Sequence, residues 1–196
     1  MYRVNVSLSP GKISENDGFT LLELVVVVAV ISIMSAIAVP AFSTLYGDFC
    51  LKAAVLELKD MFKDAKLLSI EDKPCAIVFD PAGGRAVLYS GKGPDGKWET
   101  GDEELVRELD LSEKGGALSF GYGTRGPVRK PRKLTATEDG IAFLNERFES
   151  REGVVGRAGS VYIQSASSGG AMALVFNDAD FSCTLHKWDG KDWMMM

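Results

Sequence analysis

Gly18-Phe19-Thr20-Leu21-Leu22-Glu23 opens a run that stays apolar through Val39-Pro40-Ala41-Phe42, and its reading decides the fold. Between Phe19 and Phe42 the only charge is Glu23. A bilayer-spanning helix needs about 20 mostly apolar residues, so the run is long enough to cross. A carboxylate inside such a segment costs roughly 2.5–3.5 kcal/mol on insertion scales and needs a partner. Cutting the chain before Phe19 would create one, a new amino group.

Two other readings compete for the same run. Ala36-Ile37-Ala38 satisfies the small-x-small rule of a secretory signal, which would release a chain starting at Val39. Against it, Glu23 interrupts the apolar core and no basic cluster precedes it. A plain, uncut anchor is the other rival, and it leaves Glu23 without a partner.

Helical period continues beyond Pro40. Leu51, Val55, Leu58, Phe62 and Ala65 recur at four-and-three spacing and form one apolar stripe. Asp48, Lys52, Lys59, Lys63 and Lys66 fall on other faces, with Asp48 and Lys52 placed for an i,i+4 pair. The helix is expected to end near Ser69 and Ile70, ahead of Glu71-Asp72-Lys73-Pro74. From Phe19 to Ser69 it would run about 75 Å, a membrane half followed by an amphipathic half. Pro40 lacks an N–H and clashes with the preceding turn, so a bend or local melting is expected there.

From residue 75 the pattern turns to short alternating runs, with strands expected at 75–79, 86–90, 105–109, 117–120, 141–144, 161–164, 172–176 and 183–188. Pro81-Ala82-Gly83-Gly84, Pro94-Asp95-Gly96 and Asp189-Gly190 supply turns between them. A long helix followed by antiparallel strands is an α+β arrangement, the amphipathic stripe covering one face of a sheet. Trp188 is expected in the core, and the final Met194-Met195-Met196 to fray.

The quoted motif resembles the class III signal of type IV pilins and type II secretion pseudopilins. In that family a prepilin peptidase cuts between the glycine and the aromatic residue and methylates the new amino terminus. The resemblance rests on Gly18 before the cut, Phe19 as new first residue, Thr20, Glu23 and Pro40. The head is similar to the GspH/FimT type of minor pseudopilin through its β-rich content, the segment Gly140-Ile141-Ala142-Phe143 and the strands around 171–188. The resemblance implies a pilin-like fold with a leader at 1–18, a transmembrane and amphipathic helix at 19–70 and a periplasmic β-rich head at 71–196. It further implies a single-pass inner-membrane precursor that joins other pilins or pseudopilins through its helix. Glu23 would then neutralise the amino terminus of an adjacent subunit.

Charge excludes little. Lys and Arg number 22 against 27 Asp and Glu, and a net charge of −5 carries no global signature of a nucleic-acid binder. Locally, Arg125-Gly126-Pro127-Val128-Arg129-Lys130-Pro131-Arg132-Lys133 holds five cations and no acid, a candidate DNA contact through Arg125, Arg129, Lys130, Arg132 and Lys133. Some FimT-like minor pilins bind DNA, which makes a DNA-binding minor pilin the alternative function; a solvated loop explains the same residues. Calcium takes six to eight oxygens, and Asp95, Glu99, Asp102 and Glu103 could supply several from one loop, although a solvated hairpin tip needs no ion. No other cofactor is expected.

Three cysteines, Cys50, Cys75 and Cys183, make no zinc cluster and cannot all pair within one chain. In a periplasmic head, Cys75 with Cys183 is the more plausible pair for a disulfide, both lying in strand-like runs; the alternative reading is that all three are small buried apolar residues. Enzyme chemistry finds no foothold. His186 is the only histidine, and it faces away from Cys183 three positions earlier on a strand. Gly83-Gly84, Gly115-Gly116 and Gly169-Gly170 make no phosphate loop.

Overall fold

A computed structural model describes residues 19–94, 96, 98, 101–128, 147–150, 159–176 and 182–196. The chain divides into two compact units, Met1–Val39 and Pro40–Met196. Helix α1 runs unbroken over Leu21–Ile70, so Pro40 melts nothing; Thr44 Oγ1 donates to the Pro40 carbonyl at 3.2 Å within the following turn. From Phe19 to Tyr46 every residue is exposed. α1 is long and apolar enough to cross a membrane, as its sequence predicts.

From Gly47 the helix becomes two-sided. Leu51, Val55, Leu58, Phe62 and Ala65 are all buried, the expected stripe, widened by Cys50, Ala54, Met61 and Ser69. Asp48 does not pair with Lys52; its carboxylate accepts from Lys187 Nζ at 3.3 Å, a contact only the tertiary fold could supply. The helix ends where the Glu71-Asp72 pair was expected to stop it, through a 6→1 bond from Lys73 N to Leu68 O and a 5→2 bond from Asp72 N to Ser69 O. Asp72 takes the left-handed position at φ 56, where glycine is the commoner choice.

Nine strands are found among the described residues, in two antiparallel sheets where one was expected. The first sheet has the order β3-β2-β1-β5, with β1 Cys75–Asp80, β2 Arg85–Ser90, β3 Glu104–Asp110 and β5 Arg147–Ser150. The second has the order β4-β6-β7-β8-β9, with β4 Leu118–Phe120, β6 Gly159–Ser165, β7 Ala171–Phe176, β8 Cys183–Trp188 and β9 Trp193–Met195. Both sheets share one core with the α1 stripe, which explains why one amphipathic helix face suffices for two sheets. At its centre Phe62 stacks on Phe176 at 3.7 Å between centroids and meets Phe148 edge-on at 4.9 Å.

The turn chemistry read from sequence is present. Asp80 Oδ1 accepts from Gly83 N at 2.8 Å in the β1–β2 turn. Asp189 Oδ1 accepts from the amides of Lys191 and Asp192 at 2.8 and 2.7 Å in the last hairpin. The C-terminal residues therefore do not fray. Trp193–Met195 pairs with β8, and Met196 N donates to Leu185 O at 2.9 Å. Trp188 is half-buried beside Trp193, centroids 5.5 Å apart, rather than in the main core. The strand expected at 141–144 lies outside the described residues.

Close backbone approach locks α1 onto the second sheet. A Cβ at Gly116, whose φ is +69, would stand 2.9 Å from Cys50 Cβ. One at Gly47 would stand 3.0 Å from both Ser165 Oγ and Ser168 N. Buried Ser165 donates its hydroxyl to the Gly116 carbonyl at 2.7 Å, so the tight contact leaves no polar orphan there.

Candidate functional site

At the start of α1 the sequence Thr20-x-x-Glu23 folds as a capping box. Thr20 N and Thr20 Oγ1 both donate to Glu23 Oε2, at 3.0 and 2.9 Å. Glu23 N donates back to Thr20 Oγ1 at 3.2 Å. Helix N-termini leave backbone N–H groups unpaired and carry partial positive charge, so a carboxylate is favoured there. The sequence points Glu23 to an amino terminus, and the S/T-x-x-E spacing is the signal for this second partner, Thr20. Oε2 is held by Thr20 while Phe19 stands 87% exposed beside it. Gly18 lies outside the described residues.

Half of the calcium set is described. Asp95 and Glu99 lie outside the described residues, Asp102 is exposed, and Glu103 Oε2 accepts from Gly101 N at 3.0 Å. Among the described residues no three His, Cys, Asp or Glu side chains form a metal-holding group. Trp98 is buried against Ala76 and Val78 on the outer side of β1, with Lys92 Nζ 5.4 Å above its ring.

Of the basic stretch, Arg129, Lys130, Arg132 and Lys133 lie outside the described residues. Arg125 is described, and its guanidinium is committed within the head. It donates to Gly169 O at 2.6 Å, to Gln164 Oε1 at 3.1 Å and to Tyr122 O at 3.2 Å. These bonds clamp segment 122–128 onto the β6–β7 hairpin. Trp193 Nε1 bonding Gly126 O at 3.0 Å and Val128 N bonding Tyr162 Oη at 2.9 Å complete the attachment. Arg125 thus serves the fold, a role its charge-dense neighbourhood concealed in the sequence.

The candidate pair Cys75 and Cys183 is not bonded in the structure, where all three cysteines are free thiols. Cys75 Sγ, fully buried, lies 3.2 Å from the Ala65 carbonyl and donates to it. Cys183 packs against the main core, and burial pushes its thiol up to about 11, only partly offset by Lys59 and Lys63. His186 Nε2 sits 3.4 Å from Thr184 Oγ1, two residues along the strand. A raised folded-state thiol pKa favours the neutral form. Its stabilisation is present below pH 9 and is lost as pH rises through 11. Iodoacetamide at pH 8 is expected to leave the native thiols unmodified and to add three groups after denaturation; one added group after denaturation would reveal a disulfide.

Head surfaces are uneven. Beside α1 lies an open cleft of about 220 Å³ walled by Phe49, Leu51, Met172 and Met196, with Lys52 and the Asp48–Lys187 pair at its rim. Phe49 is 72% exposed and Met196 61%.

The family model for the prokaryotic N-terminal methylation motif matches residues 14–39. The type IV major fimbrial protein FimA of Dichelobacter nodosus is 33% identical over 124 residues, covering 58% of this chain and 72% of the relative. Its counterpart from strain VCS1703A is 40% identical over 129 residues, covering 60% and 75% respectively. No solved structure matches the chain.

Proposed function

The chain belongs to the type IV pilin-like family, and on that premise we propose that it is a repeating filament subunit, cut by a prepilin peptidase between Gly18 and Phe19 and methylated on Phe19. It enters the inner membrane through the first half of α1 with its head in the periplasm, and then joins a type IV pilus. The observation that carries this reading is the division of α1. Its first half exposes an all-round apolar surface, while its second half is built into the head core. A helix apolar on every side is stable only in lipid or among other such helices. Thr20, Glu23 and Pro40 hold the family's assembly positions, with Glu23 paired in the filament to a neighbour's amine. The curated relatives, named as major fimbrial proteins, favour a repeating pilus subunit over a minor subunit of a type II secretion pseudopilus. The DNA-binding alternative loses Arg125, which is engaged within the head.

Intact mass of the processed protein tests the reading. The expected species begins at methylated Phe19, and Gly18→Val leaves only the uncut precursor on a gel. A chain beginning at Val39, or normal processing of the variant, would overturn it. Counting copies in sheared filaments separates a repeating subunit from a minor one, which would be present at a few copies per filament.

A further inference from the structure

Two surfaces of the head are unlike each other and complementary. The first is the cleft beside α1, apolar inside through Phe49, Leu51, Met172 and Met196, with Lys52 at its mouth. The second is the leading end of β3, an edge strand of its sheet. Leu105 and Val106 there are 55% and 41% exposed. The ladder slips here, Leu88 pairing with Arg107 and Tyr89 with Leu105, so Val106 is an unpaired bulge residue, and it and Leu105 are both left uncovered at this end of β3. Acids crowd it: Asp102, Glu103 and Glu104 precede Leu105 directly. Natural edge strands place charges to blunt indiscriminate pairing, yet charges of one sign select a partner of the other.

We propose that the acidic, aliphatic end of β3 docks against the lysine-rimmed apolar cleft of a second copy of this chain, Leu105 and Val106 meeting Phe49 and Met196 while Glu104 faces Lys52. This inference rests on the filament reading above and adds a head-to-head contact to helix packing. The two surfaces differ and lie on the same head, so the contact is heterologous. Each copy that docks leaves one cleft and one strand end open, which is the condition for an open filament instead of a closed dimer. The fit is chemical as well as geometric. Apolar side chains supply the buried area, and opposite charges at the rim fix orientation and reject the reverse pairing.

Charge reversal in the full-length chain tests it. Lys52→Glu and Glu104→Lys each alter an exposed side chain outside the core. Each alone is expected to reduce the subunit recovered in sheared filaments by about tenfold, through like charges brought face to face. The double variant is expected to recover to within about twofold of the parent. Normal recovery of either single variant, or failure of the double variant to recover, overturns the docking. Processing at Phe19 is followed in the same samples to show that each variant reached the membrane. If the parent chain itself is missing from sheared filaments, the filament reading fails instead, and the two failures are distinct.

Discussion

Glu23→Leu is expected to insert and be cut normally but to vanish from filaments. Leucine removes the roughly 2.5–3.5 kcal/mol insertion cost of the carboxylate, so the membrane step becomes easier. Two interactions are lost. One is the capping box with Thr20, for which loss of a cap costs about 0.5–2 kcal/mol. The other is the neutralisation of a neighbour's amino terminus, and removing one partner from a buried ion pair costs about 3–5 kcal/mol. The larger loss falls on assembly, a factor of at least about 100 per contact. Glu23→Gln separates the two effects. Glutamine can still serve the cap but carries no charge. If the glutamine variant builds filaments as the parent does, the cap alone matters and the pairing role is wrong.

Phe62→Ala is expected to be the most damaging single core change. Phe62 is in ring contact with Phe79, Phe148 and Phe176 together, and so it joins the helix to strands of both sheets. Truncating a buried phenylalanine costs about 3–5 kcal/mol, against total stabilities of about 5–15 kcal/mol for ordinary domains. For a chain of this size the loss lowers Tm by about 10 °C in detergent solution, read by circular dichroism. Leu56→Ala, on the exposed side of the same helix, is expected to change stability by no more than about 0.5 kcal/mol. Similar melting of the two variants would show that the aromatic cluster does not hold the sheets together.

The helix was legible because its signals are local. Period, stripe and breaker all sit within α1, and its observed end at Ile70 matches the expected one. Most strands were legible for the same reason. What escaped depends on partners distant in sequence. β5 carries one buried apolar residue, Phe148, between charged and polar neighbours, and it is a strand because β1 pairs with it from Cys75 to Val78. The division into two sheets likewise has no local signature. β9 could have been found, since an Asp-Gly turn after a strand calls for a returning strand. At the candidate site Glu23 stood out, because a carboxylate in an apolar run is costly. Arg125 misled because a cation's hydrogen-bond acceptors, here backbone carbonyls from residues 122 and 169, are invisible to a reading of charge.

The glycine contact between α1 and the second sheet also has a mechanical meaning. Gly47, Gly116 and Ser165 pin the helix at one axial position, because sliding by a turn would drive side chains into the backbone now lying against those glycines. Force applied along the helix is therefore not absorbed by slippage. It loads the close contacts of Gly47 and Cys50 with Gly116, Ser165 and Ser168 together with the packed stripe from Leu51 to Ala65. A head fastened in this way passes a pull on to the stretch of helix packed within it, and that contact yields by unfolding rather than by creep.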